Sequence, residues 1–305
     1  MLVASSDYNE DIRISREILT RLSEAYRKIR NTARFILSNL YDFNPDTDKA
    51  EGAGFREIDK WIIAKAAQLV KEVKDAYGTS QNPGFEFHKA YKLIYDFCNI
   101  DLSMYYLDMV KGRLYTAGAA SAGRRAAQTV IYEVLGALTR LMAPILVFTA
   151  EEIWQHMPKE RCLKDRESVH LLGFPDEDFF VLKAEKLAQN SSMVTAALEL
   201  IPAIAKALEE KRAQGEIGSS FDAQINLLTK DQIRYNFLTS LGAQLAEIFK
   251  VSAVSVGKAD AGADFSVEVK KAGGAKCVRC WNYSTDVGSF TDHPLICANC
   301  RQTVA

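Results

Sequence analysis

The sequence lacks any uninterrupted apolar run close to the roughly 20 residues that a membrane-spanning helix needs. It also lacks the features of a secretory signal, because the opening stretch MLVASSDYNEDIRI has acidic residues where a basic flank and an apolar segment would stand. From these two absences we expect a cytoplasmic protein that has no membrane partner.

The sequence also lacks an excess of charge of either sign. Its 38 basic and 39 acidic side chains give a formal net charge of −1, which argues against a wholly electrostatic, histone-like binder. Nucleic-acid binding stays open, because local basic patches rather than net charge determine phosphate contacts. With 305 residues, 48% of them apolar, the chain can form two or three folded domains.

Long amphipathic helices are predicted for residues 1–158. Apolar residues recur there at three- and four-residue steps, as on one face of a helix, in the segments 13–40, 58–77, 87–109 and 126–142. Helices of this length joined by short loops favour an antiparallel bundle. Three local features are predicted between them: a turn at Asn82-Pro83-Gly84, a small-residue connection at 112–123, and a capping box from Thr149 to Glu152 that starts a short helix.

Residues 159–272 predict a small α/β connector domain. A short extended piece is expected at 169–172 and a helix at 185–213, with a kink at Pro202. A second helix is expected at 230–249, and strands are expected at 223–227, 251–256 and 265–269. The predicted fold is therefore mainly α, with a helical bundle at 1–158, the connector at 159–272 and a four-cysteine zinc ribbon at 273–305.

The ribbon is predicted from cysteine spacing. Two of the six cysteines, Cys98 and Cys162, stand alone, whereas the C-terminal stretch CVRCWNYSTDVGSFTDHPLICANC has two C-x-x-C pairs separated by sixteen residues. This spacing is typical of a tetrahedral site with four thiolates, here Cys277, Cys280, Cys297 and Cys300. We expect the pairs to lie on short β-turns separated by a small hairpin, and to hold one structural zinc ion with no open coordination position. Iron in a rubredoxin-like site and two redox-active pairs are the alternatives.

Several blocks of the sequence resemble one protein family. C-V-R-C-W-N together with H-P-L-I-C-A-N-C is similar to the C-terminal zinc module of bacterial isoleucyl-tRNA synthetases, which are class I aminoacyl-tRNA synthetases. The stretches VASSDYNEDIRIS, LSEAYRKIRNTARFILSNLYDF, NIDLSMYYLDMVKGRLY and RRAAQTVIYEVLGALTRLMAPILVFTAEEIWQHMP resemble helices of that family's anticodon-binding domain. The similarity covers nearly the whole chain.

This resemblance implies a tRNA-binding part of an enzyme that uses ATP to charge isoleucine tRNA with isoleucine. The family's catalytic half has H-I-G-H and K-M-S-K-S signatures, and neither occurs here: His88 is followed by Lys-Ala-Tyr. We therefore expect the chain to be inactive alone, to act as a monomer, and to use ATP only through the missing half. The rival hypotheses are a free-standing RNA-binding protein and a zinc-stabilised protein-interaction scaffold.

Candidate RNA contacts follow from basic and aromatic residues. Arg27, Arg30 and Arg34 recur at helical spacing off the apolar face of the first helix, where they form either a phosphate-binding stripe or an ordinary charged surface. A second candidate set consists of Arg124, Arg125 and Arg140, with the same two alternatives. In the zinc module, Trp281 either stacks on a base or packs as a lid, and Arg279 contacts RNA or supports the thiolates. The remaining candidate is Arg301.

Overall fold

Helices make up most of the chain in its computed structural model, which describes residues 1–12, 14–78, 84–175, 190–259 and 264–304. The chain divides into two compact units. The first unit comprises residues 1–55, 59–108 and 122–189, and the second unit comprises residues 56–58, 109–121 and 190–305. The prediction of a mostly helical chain with a small sheet and a cysteine cluster near the C-terminus is confirmed.

The N-terminal half forms long helices, as predicted. They are α1 (Arg16–Ser38), α2 (Glu57–Tyr77), α3 (Phe87–Asp96), α4 (Leu107–Thr116), α5 (Ala122–Met142) and α6 (Val147–His156). The helix α1 begins where Ser15 Oγ accepts a hydrogen bond from the Ile18 amide, at 3.2 Å. From Ala25 onward its apolar positions at three- and four-residue spacing, among them Ile29 and Ile36, are buried in the first unit.

A π-helical segment, Phe97–Tyr106, joins α3 to α4. The hydroxyl of Ser103 donates to the carbonyl oxygen of Cys98, five residues earlier, at 2.7 Å, and exchanges a hydrogen bond with Thr32 of α1 at 2.9 Å. Periodicity does not distinguish such a segment from an α-helix, because π-turns are rare and differ by only about one residue per turn. The sequence therefore predicts one uninterrupted helix where the structure has three consecutive segments.

The predicted connection at 112–123 is wrong over most of its length. The helix α4 continues to Thr116, and α5 begins at Ala122, about one turn before its predicted start. Gly112 lies inside α4, where glycine costs about 1 kcal/mol relative to alanine. Burial of the Val110 and Leu114 side chains stabilises the helix by more than this cost. Arg124 and Arg125, which lie between the predicted connection and the predicted start of the next helix, thereby become first-turn residues of α5.

Two local predictions, one at the start of α6 and one within the connector, are also wrong. The helix α6 begins at Val147 and not at Thr149, because the Thr149 hydroxyl is hydrogen-bonded to the Tyr26 hydroxyl at 3.0 Å and caps nothing. Residues Val169–Leu171 form a 3₁₀ turn where an extended piece was expected. Ser168 causes this turn, since its Oγ accepts a hydrogen bond from the His170 amide at 3.2 Å.

Two further predictions fall partly outside the described residues. Asn82 and Pro83 of the predicted turn lie there, and so does the start of the predicted 185–213 helix. The described remainder is not one kinked helix but two helices, α7 (Ser191–Leu198) and α8 (Ile201–Ala213). Pro202 lies in the first turn of α8, where its missing amide hydrogen costs no hydrogen bond.

The second unit contains a three-stranded sheet of β1 (Ala223–Thr229), β2 (Ala253–Lys258) and β3 (Phe265–Lys271) in the order β2-β1-β3. Strand β1 is parallel to β2 and antiparallel to β3. The predicted 230–249 helix is divided at Gly242, which has φ +51°, into α9 (Gln232–Leu241) and α10 (Gln244–Phe249). The helices α9 and α10 pack against β2, and α8 packs against β3. The three predicted strands are confirmed.

The stretch Ser191–Ala213 is long and apolar enough, by length and composition alone, to cross a membrane. One such stretch is weak support for a membrane protein, because core helices of soluble proteins pass the same test. Here it is interrupted between α7 and α8, and Val194, Ile204 and Leu208 are buried within the protein.

Candidate metal centre and nucleic-acid interface

The structure brings together the four cysteines that their spacing singles out. The sulfur atoms of Cys277, Cys280, Cys297 and Cys300 all lie within 4.8 Å of one another. Four thiolates bound to zinc at about 2.3 Å would form a tetrahedron with edges of about 3.8 Å. The Sγ atoms of Cys280 and Cys297 are 3.7 Å apart, so the cluster has the size that this ion requires.

Each cysteine pair is presented by a different local structure. The first pair follows β4 (Ala275–Lys276), which pairs with β5 (Tyr283–Ser284), so the hairpin encloses the pair. The second pair lies at the start of α11 (Ala298–Val304), with Cys300 in its first turn. The expectation of two β-turns separated by a hairpin is therefore wrong in two respects, because the hairpin encloses the first pair and the second pair begins a helix. Asp286 accounts for the helix, because its carboxylate accepts the Ala298 amide hydrogen bond at 2.9 Å.

The hairpin depends on a glycine. Gly274 has φ +85°, and any side chain there would collide with the backbone of Ser284 on the facing strand. Glycine adopts this conformation without the cost that other residues incur. The close approach of β4 and β5 sets the path of the chain into Cys277, whose amide donates to the Asn282 carbonyl oxygen at 2.9 Å.

The electrostatics of the cluster favour a bound cation. Burial opposes ionisation of Cys277, but backbone amides, including that of Cys297 at 3.4 Å, bring the pKa of its thiol down to about 6. Burial raises the pKa of Cys280, and it raises that of Cys300 to about 11. Buried thiols this close cannot all ionise against one another unless a cation compensates them. A divalent ion with four thiolate ligands satisfies this condition, and the residues fit zinc.

The Trp281 side chain is exposed beside the cluster. It is 62% accessible, and the residue has φ +67°, a left-handed conformation that bulky residues rarely adopt. Its amide donates to the Cys277 carbonyl oxygen at 2.9 Å, which holds the backbone in place. Of the two alternatives for this residue, the structure favours an accessible ring over a packed lid.

The other two module residues have protein partners. The Arg279 guanidinium is half-buried, donates to the carbonyl oxygen of Thr116 and is also hydrogen-bonded to Cys300. Arg301 lies over the Phe290 ring, with 4.7 Å between its guanidinium carbon and the ring centroid, and its Nε donates to Asp292 at 2.9 Å. Neither Phe290 nor Asp292 follows from sequence reasoning, because nothing in their spacing links them to Arg301.

The arginine stripe of α1 is exposed, as expected from its position off the apolar face. Arg27, Arg30 and Arg34 are exposed, and the residues on the other side of the helix are buried. Arg30 lies 3.5 Å from the Glu152 carboxylate, with both side chains about half exposed. Exposed pairs of this kind contribute little, typically below about 1 kcal/mol, so a phosphate can compete with Glu152 for this arginine.

The second arginine pair has a different environment. The Arg124 side chain is 6% exposed and binds both carboxylate oxygens of Asp42, at 2.6 and 2.9 Å. Arg125 donates to the Asp42 carbonyl oxygen at 2.9 Å and to Gln128 at 2.8 Å. These contacts hold the loop after α1 against α5. The geometry therefore favours a structural role for Arg124. Arg125, whose side chain is 18% exposed, is less accessible than the arginines of the α1 stripe.

Replacing Asp42 with asparagine is expected to destabilise the first unit by about 2 kcal/mol, since Arg124 would lose a charged partner in a buried position. Hydrogen bonds from Arg124 hold the pKa of Asp42 below its usual value, although burial acts in the opposite direction. A lowered folded-state pKa stabilises the protein above the unfolded-state value, and the stabilisation is lost as pH falls from about 4 through the lower folded-state pKa. Denaturant unfolding at pH 7 and pH 3 measures both effects. The exposed Asp165→Asn serves as control, and equal stability of the two variants at pH 7 would contradict the assignment.

Comparison with known protein families assigns the chain to a class. Residues 59–227, more than half of the chain, match the model described as "Anticodon-binding domain of tRNA ligase". The chain therefore belongs to the family of anticodon-binding domains of tRNA ligases. Residues 274–303, which include the four cysteines, match the model "Zinc finger found in FPG and IleRS".

The curated proteins that the chain resembles are tRNA ligases for one amino acid, isoleucine. The chain is 42% identical over 300 residues to the isoleucine–tRNA ligase of Caldicellulosiruptor saccharolyticus, covering 98% of this chain and 31% of that protein. It is 43% identical over 308 residues to that of Syntrophotalea carbinolica, covering 98% and 32%. For the isoleucine–tRNA ligase of Geobacter sulfurreducens the identity is 39% over 310 residues, covering 99% and 32%. The chain spans about a third of the length of these relatives.

Proposed function

We propose that this chain is the tRNA-binding, anticodon-recognising C-terminal part of an isoleucine–tRNA ligase. The observation that carries the proposal is the presence of both family matches in one chain, the anticodon-binding domain at 59–227 and the zinc finger at 274–303. Relatives that share about 40% of its residues over nearly its whole length are isoleucine–tRNA ligases. The whole enzyme uses ATP to join isoleucine to its tRNA, and this chain supplies tRNA affinity and discrimination.

The proposal divides the chain into three domains. Residues 1–158 form an antiparallel bundle of the class I synthetase anticodon-binding type, 159–272 form the connector, and 273–305 form the zinc ribbon. One zinc ion is held by Cys277, Cys280, Cys297 and Cys300, whose sulfur geometry supports it. With four thiolates bound the ion has no open position, so it stabilises the module and supplies no chemistry. The monomeric state and the cytoplasmic location stay predictions.

The proposed RNA contacts are the exposed candidates. An anticodon loop presents unstacked bases and phosphates, which aromatic faces and arginines recognise. Arg27, Arg30 and Arg34 supply an exposed basic stripe. Beside the zinc cluster, Trp281 supplies an exposed ring, and Arg301, which is half-buried and paired with Asp292, supplies a charge. Arg124 and Arg125 are assigned to the support of the loop after α1.

Binding of labelled isoleucine tRNA, compared with the same tRNA carrying a changed anticodon, tests the proposed function. The measurement is made at two salt concentrations, because phosphate contacts release counterions and weaken steeply with salt. The expected result is tighter binding of the unaltered tRNA at both concentrations. Equal affinity for the two RNAs would reject anticodon recognition, and no binding to either RNA would favour a protein-interaction scaffold.

Replacing Trp281 with alanine is expected to weaken tRNA binding about tenfold, because stacking on one base contributes about 1–3 kcal/mol. Zinc content should stay at the wild-type level, since the ring is exposed and is not a ligand. Trp281→Phe is the matched control and should retain most of the affinity. Titration of labelled tRNA gives the comparison, and wild-type affinity of the alanine variant would remove the ring from the RNA interface.

A further inference from the structure

Glu247 of α10 lies between two arginines in the second unit. Its Oε1 accepts a hydrogen bond from Arg113 Nε at 2.6 Å, and its Oε2 pairs with the Arg56 guanidinium. The side chains of Glu247 and Arg113 are only 10% and 6% exposed, whereas Arg56 is partly accessible. A buried carboxylate in this position is fixed by its partners, because any displacement would leave a buried charge without compensation.

A second side chain of α10 reinforces this attachment. Gln244 lies three residues before Glu247, and its Oε1 accepts a hydrogen bond from the Glu57 amide at 2.9 Å. Residues three apart on a helix share one face. One face of α10 therefore holds two segments that are distant in sequence, 56–58 and 109–121, and both belong to the second unit.

The zinc module is attached to the 109–121 segment and to the sheet side of the second unit. Arg279, between the first two cysteines, donates to the Thr116 carbonyl oxygen within the 109–121 segment. On the sheet side, the Tyr283 amide donates at 2.7 Å to the hydroxyl of Ser252, which comes shortly after α10. The Lys276 ammonium lies 3.2 Å from the Asp222 carboxylate. A shift of α10 against the 109–121 segment would strain one of these attachments and move the module.

We infer that Glu247 is a positioning residue for tRNA binding: by joining Arg56 and Arg113 it fixes α10 on the 109–121 segment and so fixes the orientation in which the zinc module presents Trp281. The inference rests on the proposed function. Glu247 itself contacts no RNA, because its side chain is only 10% exposed and paired with two arginines, and its negative charge would repel phosphates. It acts through the placement of the module.

The variant Glu247→Gln distinguishes a positioning role from a purely electrostatic one, because the two predict opposite changes in tRNA affinity. It keeps the side-chain size but removes a negative charge, so electrostatics alone would tighten tRNA binding. Loss of the ion pairs should instead weaken binding about tenfold, the range of typical coupling between distant sites. The dependence of affinity on salt should keep its wild-type slope, because no phosphate contact is removed. Glu209→Gln, an exposed glutamate in the same unit, makes the same charge change and should bind as tightly as the wild type or slightly tighter.

Two further measurements separate positioning from loss of folding. Zinc content and thermal melting of Glu247→Gln establish that the module is intact at the temperature of the assay. Combining Glu247→Gln with Trp281→Ala should then weaken binding by less than the product of the two separate losses, since both act through the same ring. A combined loss equal to the product of the two separate losses, which means additive free energies, would indicate a merely structural role and overturn the inference. Binding by intact Glu247→Gln at or above wild-type affinity would also overturn it.

A neutral variant keeps the inference testable if Glu247→Gln does not fold. Gln244→Ala removes the adjacent contact with the Glu57 amide and changes no charge. It should weaken tRNA binding about threefold with zinc retained, and unchanged affinity would contradict the inference. If the wild-type chain itself fails to bind tRNA at low salt, the proposed function fails, and that outcome differs from any of the variant results.

Discussion

Replacing Cys297 with serine is expected to abolish zinc binding at neutral pH. Structural zinc sites of this type bind with apparent free energies of about 10–16 kcal/mol, and that energy depends on the complete ligand set. The Sγ atoms of Cys297 and Cys280 are 3.7 Å apart, so the substitution removes one of the four thiolate ligands and leaves an incomplete site. The segment from Gly274 to the end of α11 should lose its structure, because its buried core consists mainly of these cysteines.

Elemental analysis after dialysis measures the zinc, and limited proteolysis reports the folding of the module. Wild-type protein should carry about one zinc per chain, and Cys297→Ser should carry almost none. The exposed thiol of Cys162 provides a matched control, since Cys162→Ser removes a sulfur outside the cluster and should leave the zinc content unchanged. A Cys297→Ser protein that still held one tightly bound ion would contradict the four-thiolate site.

Replacing Arg27, Arg30 and Arg34 together with glutamine is expected to weaken tRNA binding about a hundredfold at low salt. Each arginine that neutralises a phosphate releases counterions, and each contributes about 0.7 to the slope of log affinity against log salt on single strands. Loss of three contacts should therefore reduce the magnitude of that slope by about 2. The three side chains are exposed on α1, so the helix should fold normally without them.

Three other exposed arginines make the matched control. Replacing Arg161, Arg166 and Arg212 with glutamine changes the net charge by the same amount away from the proposed stripe. This control should lower affinity only slightly, with a slope close to that of the wild type. If both triple variants lost affinity equally, the attraction would be a property of total charge and not of the α1 stripe.

Local sequence patterns predicted the features that depend on near neighbours in the chain. The helix α1 follows from apolar spacing, and β1 follows from the alternation that buries Ile225 and Leu227. The two C-x-x-C pairs identified the cysteine cluster, because each pair turns two sulfurs toward one point. In these cases the side chains that determine the structure lie within a few residues of one another.

Features that depend on distant residues could not be predicted in this way. The sequence alone offers Arg124 as an RNA contact, because its partner Asp42 is 82 residues earlier and no spacing rule links the two. The carboxylate of Glu247 meets Arg113 and Arg56 across 134 and 191 residues, so no spacing rule brings these charges together. Thr149 has the spacing of a cap, but its hydroxyl binds Tyr26 across 123 residues. In each case tertiary contacts determined which of several locally acceptable roles the side chain took.

The conformation of Trp281 bears on why a tryptophan stands at that position. Its left-handed backbone costs a bulky residue about 1 kcal/mol, a cost that glycine would not incur. Its ring is largely solvent-exposed, so burial of the side chain does not recover this energy. Glycine would adopt this backbone conformation more readily than tryptophan. A tryptophan at this position therefore costs stability. The proposed stacking on a base would explain the residue, whereas folding alone does not.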